Sequence, residues 1–398
     1  FEPFLRRAGD GLAKGGVHTP NHRWVVCAAL AQINQVFPDE RYIKRIDQWL
    51  VEGIDIDEYG QFTERSTAVY NSVCVNSLVT MAHKLQRPEL LDPVRRNLDA
   101  MAYLLHPGGE VVTEVSRRQD LNSRDTMRRY WFALRFMAIK DGNGLYSFML
   151  APHEPAAIDL AKMMEYPELN APLPSPAPIP DENEKDYPPY GITRIRRGAT
   201  SAVIMHKGNS RWIAMRRGAA VINAVRFSSA FFGKGQFVPA IYEKKNELHV
   251  FRQQLEASYY QPIPEKVDTN SWSVMRRKRD KSERCRMNYE GRIRETEKGF
   301  EVSIRAEGTD GVPLAVEINL RGGGEIEEVH PCPGTHDAFL LKEGYANYRV
   351  GEDVIRFGPG LNEHAYVQIR GAYDKMPGPS VYITGYTPFR YTLRFEMR

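Results

Sequence analysis

Two polar clusters hold residue types suited to proton transfer. Asn21-His22-Arg23-Trp24 precedes the apolar run Val25, Val26, Cys27, Ala28, Ala29, Leu30 and Ile33. Gly60-Gln61-Phe62-Thr63-Glu64-Arg65-Ser66, then Tyr70 and Asn71, precedes Val73, Val75, Leu78, Val79 and Met81. Each cluster sits where an amphipathic helix should begin, and one more such helix, about 39–51, lies between them. In a stack of antiparallel helices every second one points the same way, so the first and third start on one rim. His22 and Tyr70 are expected to face each other there, where a His and a Tyr at helix N-termini can move protons beside a bound anion. A third polar stretch, 116–125, precedes a helix expected at 121–139 and falls on the same rim by the same rule. Its Arg117, Arg118 and Arg124 supply guanidinium forks that suit carboxylate or sulfate.

Taken singly, these residues have structural uses. Asn21 can cap the helix after Thr19-Pro20, with His22 on the surface, and Ser66 can cap the helix that carries Tyr70. Tyr70 itself can be a core tyrosine. The case for chemistry rests on three polar helix starts on alternate helices.

The elements that must position them follow from periodicity. Helices are expected at about 21–37, 39–52, 66–86, 88–105, 121–139 and 153–165, separated by Pro38, Gly53, Pro88 and Pro107. A short strand or hairpin is expected at 110–115, and residues 1–20 read as loop or the tail of another element. The Pro-rich stretch 172–190 reads as a linker between a helical domain, 1–171, and a second domain, 191–398. Beyond it the period changes to short alternating runs, 201–205, 211–215, 299–306, 314–320, 365–369, 380–383 and 391–396, as in an antiparallel β-sandwich. The charged run Met275 to Arg286 reads as a solvated connection, with nucleic-acid or polyanion contact as the alternative.

Composition narrows the classes. A chain of 398 residues exceeds one ordinary core, which suggests two domains. Its 42% hydrophobic and 26% charged content fits a globular protein, and a net charge of +4 leaves no nucleic-acid footprint. No apolar run is long enough for a membrane helix. The first residue is not Met, and we read a processed or excised terminus. Cys27, Cys74, Cys285 and Cys332 lack metal-ligand spacing, and the first two read as core thiols.

Asn-His opening one helix, then Gly-x-Phe-x-Glu-x-Ser and a Tyr, then a Pro-rich linker and a β domain, resembles the heparinase II/III-like polysaccharide lyases, related to alginate and heparin lyases. The resemblance is carried by residues 17–140 and is architectural after 190. It implies an α+β multidomain protein, an N-terminal incomplete α/α toroid followed by a C-terminal antiparallel β-sandwich. It also implies a bacterial protein, periplasmic or secreted. The helix count is below that of family toroids, so an N-terminal part of the ring is expected to be missing. Many members carry a His-rich segment early in the β domain, whereas residues 226–237 hold no histidine. His206, His249, His330, His336 and His364 are isolated in sequence and read as structural, and neither metal nor cofactor is called for.

The implied reaction is β-elimination at a uronic acid in an acidic polysaccharide or oligosaccharide. The C5 proton is weakly acidic, so the neighbouring carboxylate must be neutralised to stabilise an enolate-like intermediate. By resemblance Asn21 and His22 take that role, with Arg117, Arg118 or Arg124 assisting. Tyr70 would protonate the glycosidic oxygen, and in a syn elimination would also take the C5 proton. In an anti elimination His22 would be the base. Glu64 would orient His22 or Arg65, or else form a buried structural ion pair; Trp24 would offer a ring to a sugar, with core packing as its other use, and Arg23 would help to bind the substrate. Two other readings stay open: a non-catalytic carbohydrate-binding protein, and a glycoside hydrolase using two of Asp55, Asp57, Glu58 and Glu64.

Overall fold

Apolar residues at helical spacing, broken by Pro and Gly, give the first half eight α-helices: α1 (Glu2–Lys14), α2 (Pro20–Val36), α3 (Glu40–Leu50), α4 (Tyr70–Leu85), α5 (Asp92–Tyr103), α6 (Trp131–Asp141), α7 (Gly144–Leu150) and α8 (Ala157–Glu165). The computed structural model describes residues 1–398, which divide into two compact units, Phe1–Asn183 and Glu184–Arg398. Within the first unit α2, α4 and α6 form one row, with α4 packed between the other two. Helices α1, α3 and α5 flank that row. Trp24, Cys27, Leu30 and Ala31 of α2 and Cys74, Val75, Leu78 and Val79 of α4 are buried in its core. No helix is long and apolar enough to cross a membrane.

Several expectations need correction. Residues 2–14 are helix rather than loop, and Gly9 stands in it as a packing residue: a Cβ there would fall 2.4 Å from the Tyr42 hydroxyl of α3. The expected strand at 110–115 is reduced to single bridges, Leu105 to Val111 and Glu110 to Thr126. The helix expected from 121 starts later, as a tight turn at Met127–Tyr130 leading into α6. Short polar side chains compete with the helical ladder before that point. Thr113 Oγ1 donates to the Ser123 carbonyl, Asn122 is left-handed at φ 57°, and Thr126 Oγ1 accepts from the Arg128 N–H. The 153–165 helix likewise begins at Ala157, and α7 has no counterpart among the expected helices.

In the second half, strands β1 (Glu182–Tyr187), β2 (Ile192–Arg197), β3 (Thr200–Met205), β4 (Ile213–Arg217) and β5 (Ala220–Ser229) are followed by β6 (Ile241–Lys245), β7 (Leu248–Tyr260), β8 (Lys281–Thr296) and β9 (Gly299–Gly308). Then come β10 (Pro313–Leu320), β11 (Glu325–Glu327), β12 (His330–Pro331), β13 (Ala338–Leu340), β14 (Ala346–Val350), β15 (Asp353–Gly358), β16 (Ser380–Tyr386) and β17 (Phe389–Met397). They form a nine-stranded sheet, β1-β2-β3-β4-β5-β10-β16-β13-β12, and an eight-stranded sheet, β11-β14-β15-β17-β9-β8-β7-β6. From β2 onward the neighbours pair antiparallel, apart from β13 with β16, which is parallel. One core joins the sheets as a sandwich, with Trp212 packed edge-on against Phe227, Phe237 and Phe251.

Two further corrections concern this half. The stretch 172–190 is not wholly linker, since β1 begins within it at Glu182. Residues 365–369 form no strand. Their alternation instead drops Val367 and Ile369 into a small outer cluster with Tyr382.

Candidate functional site

The site is assembled by backbone stitching between segments about fifty positions apart. At Ser66 to Val69, just before α4, the Thr67 N–H donates to Ser116 Oγ (3.2 Å) and the Ala68 N–H to Asp120 Oδ2 (3.1 Å). Ser116 Oγ also donates to Asp120 Oδ2 at 2.9 Å, the Thr67 hydroxyl to the Val112 carbonyl at 2.9 Å, and Tyr130 to the Thr67 carbonyl. The Arg117 N–H donates to the Arg65 carbonyl at 2.8 Å. These bonds lay the 116–120 segment across the start of α4, where Tyr70 is the first helical residue. Ser66 does serve that helix start, its Oγ accepting the Tyr70 N–H at 3.0 Å.

The consequence is a tyrosine under two donors. Gln119 Nε2 donates to the Tyr70 hydroxyl at 2.9 Å, and the Arg118 guanidinium lies 5.1 Å from the centre of the Tyr70 ring. The Gln119 hydrogen bond first, and Arg118 second, hold the phenol's pKa below its ordinary value of 10.0. Hydrogen bonds and positive charge favour the phenolate, and the half-exposed ring stays open to a ligand. Gln119 was not singled out in the sequence, because an isolated amide carries no chemical signature.

Glu64 ties this rim to the start of α2. Its Oε1 accepts the Asn21 N–H at 3.2 Å, and its Oε2 lies 3.6 Å from Arg118 Nε. A carboxylate on free N–H groups at a helix start is favourably placed. Glu64 is only 8% exposed, so it orients Arg118 and α2 and is not a group that meets a ligand directly. Asn21 lies inside α2, with Thr19 in the N-cap position. Its side chain is buried, its Oδ1 accepts from the Thr19 hydroxyl at 3.2 Å, and its Nδ2 is a buried donor with no hydrogen-bond partner. His22 is exposed, its ring 5.4 Å from that of His18.

Other expected site residues are placed elsewhere or used otherwise. Trp24 is fully buried and donates Nε1 to Asp55 Oδ1 at 2.9 Å, which rules out a sugar platform. Arg23 is committed to Asp55 (2.9 Å) and Glu52 (2.8 Å) and stacks on Trp24, so it is a structural cation. Arg117 is exposed beside Arg118, whereas Arg124, 77% exposed, leans toward Glu110 at 3.6 Å.

The acidic cluster is turn chemistry. Asp57 Oδ1 accepts the N–H groups of Tyr59 and Gln61 at 3.0 Å each, and Asp55 Oδ2 that of Thr63 at 3.3 Å. Gly60, at φ 77°, closes the hairpin against α5, where a Cβ would meet Ala100 at 2.5 Å and the Arg96 carbonyl at 2.6 Å.

A cavity of about 700 Å³ opens next to this rim. Val25 and Val73 line it, each three residues past His22 and Tyr70, so it begins one helical turn below them. Ser72, Asn76, Arg128 and Lys162 add polar walls.

An array of paired helices followed by an antiparallel sandwich defines the class: an α+β multidomain fold of the α/α-toroid and β-sandwich kind. No family model matches the chain, and no curated protein matches it. Among solved structures it is similar to a heparinase III, with a TM-score of 0.51 and 9% identity over 100% of this chain and 62% of that one. Also similar are a mutant heparan sulfate lyase from Pedobacter heparinus (TM-score 0.48, 11% identity, 98% of this chain and 62% of that one) and the chondroitin AC lyase of Streptomyces coelicolor A3 (TM-score 0.47, 14% identity, 98% and 59%). The likeness is one of fold, in line with the resemblance carried by the motifs. The chain spans about three-fifths of the length of these structures.

Proposed function

We propose that this chain belongs to a polysaccharide lyase that cleaves a uronic-acid-containing glycan by β-elimination. The observation that carries the reading is Tyr70, held at a helix start by Gln119 and Arg118 with its phenol made more acidic. A tyrosine poised in this way gives up its proton more readily than a free phenol and can exchange it with a substrate. The fold shared with heparinase III supports the same class. On this reading the enzyme works outside the cytoplasm, periplasmic or secreted.

In the reaction a base removes the C5 proton. The electron pair left behind forms the C4–C5 double bond as the C4–O bond breaks, and the departing glycosidic oxygen takes a proton from Tyr70. In the syn course the Tyr70 phenolate is itself the base and returns that proton. In the anti course His22, exposed at the start of α2, removes it. Arg118 and Arg117 meet the uronate carboxylate, while Asn21, whose Nδ2 is buried, takes a positioning part at the start of α2. The adjoining cavity gives the rest of the sugar chain room.

The test is ultraviolet absorbance of the parent and of Tyr70→Phe with a panel of uronate polymers. A rise with the parent alone establishes elimination through Tyr70. Reducing ends without absorbance would point to a hydrolase, although Asp55 and Asp57 are taken up in holding their hairpin. Silence in both assays leaves a glycan-binding protein.

A further inference from the structure

Strands β7 and β8 run past their neighbours. Pairing of β6 with β7 stops at Arg252, and pairing of β8 with β9 stops at Met287. Residues 256–260 and 281–286 therefore leave the sheet as a two-stranded arm, closed by the short helix α9 (Trp272–Lys278). A lone two-stranded ribbon is weakly stable, so its side chains are the part worth explaining.

Those side chains are unlike the rest of the unit. From Trp272 to Arg286 there are seven basic residues and two acidic ones, a net +5 against +4 for the whole chain, so the remainder is close to neutral. On the sheet faces arginines are matched by glutamates: Arg252 with Glu290, Arg294 and Arg394 with Glu301, Arg305 and Arg390 with Glu307. At the arm's end Arg276, Arg277, Lys278, Lys281 and Arg284 are exposed without a carboxylate partner. Beside them Trp272 is 53% exposed, packed edge-on to Tyr260 at 6.0 Å with Arg279 over its face at 5.0 Å, and Tyr259 is 56% exposed. Lysines and arginines that only guard a sheet edge would explain the charge. They would not explain large rings left in water beside it.

We propose that the end of this arm is a second binding surface, which takes the sulfate or carboxylate groups of an acidic polysaccharide on Arg276, Arg277 and Lys278 and a sugar ring against Trp272. Guanidinium forks match such anions, and an aromatic face offers an apolar surface to a pyranose ring. The choice of a glycan over a nucleic acid rests on the lyase reading.

Calorimetric titration in the Tyr70→Phe background, where binding needs no turnover, tests it with heparin, chondroitin sulfate and a short DNA duplex as probes. Arg276→Ser/Arg277→Ser/Lys278→Ser should bind the preferred glycan about tenfold more weakly, with a flatter salt dependence. Trp272→Ala should weaken binding and leave the salt dependence unchanged. Glycan binding unaltered in both variants, no glycan binding by the parent, or tighter binding to the duplex would each overturn the proposal. Arm-dependent glycan binding in a protein that eliminates nothing would sink the lyase reading and leave this surface standing.

Discussion

Two tyrosines, one in each unit, sit beside titratable groups and are shifted in opposite directions. Tyr70 is half-exposed, takes hydrogen bonds from donors, and is made more acidic. Tyr242 of β6 stacks on His206 (ring centres 3.8 Å apart) and bonds His249 Nδ1 at 2.9 Å, and burial raises its pKa. Burial also pushes both histidines down to about 4. Thr193 binds His206 Nε2 at 2.8 Å and donates to Asp186, which pairs with Lys244. Two of the five histidines isolated in sequence, His206 and His249, thus share one tyrosine. Perturbation by donors in an open place prepares a group to react, whereas perturbation by burial keeps a group neutral and the sheet intact.

The comparison breaks first at Tyr70. Removal of its hydroxyl in Tyr70→Phe should lower kcat by about 10²- to 10⁴-fold with folding unchanged, while Tyr242→Phe should cost stability and leave the chemistry alone. Thermal unfolding beside the absorbance assay reads both.

Acid comes second. The unfolded imidazoles bind protons near pH 6.5 and the folded ones only near 4, so stability is fully present above pH 6.5 and falls as pH drops through that window. The loss should approach roughly 3 kcal/mol per histidine by pH 4, and His249→Gln should remove one of the two steps. Calorimetric scans from pH 7 to 4 measure it, and a flat profile would place these rings in water.

The smallest effect belongs to Gln119. Gln119→Leu removes the leading cause of the Tyr70 shift, so the phenol should move back toward 10.0 and the base-dependent limb of the rate profile toward higher pH. The rate at neutral pH should fall about three- to tenfold, and phenolate absorbance against a Tyr70→Phe baseline follows the pKa without any turnover. An unmoved titration would reduce Gln119 to a surface contact.

Periodicity made α2, α3 and α4 legible, together with the change to strands. It failed at α1, where Gly9 and Gly11 looked like loop residues although Gly9 serves close packing, and before α6, where Asn122, Asp125 and Thr126 hold the backbone out of a helix. Within the site, residue type identified Tyr70 and the arginine-bearing segment. It could not reveal that Asp55 consumes both Arg23 and Trp24, because that pairing crosses thirty-one positions and depends on the hairpin between them. Gln119 escaped for a similar reason: its value comes from where Ser116 and Asp120 hold the chain.

That anchoring separates two kinds of change over evolutionary time. Ser116 and Asp120 are buried and bind the segment by its ends, while Arg117, Arg118 and Gln119 between them face solvent. Substitution at these three neighbouring positions therefore changes what the Tyr70 hydroxyl meets without removing the backbone bonds that hold the start of α4. On the lyase reading, a lineage could exchange one polymer for another here while its fold drifted independently.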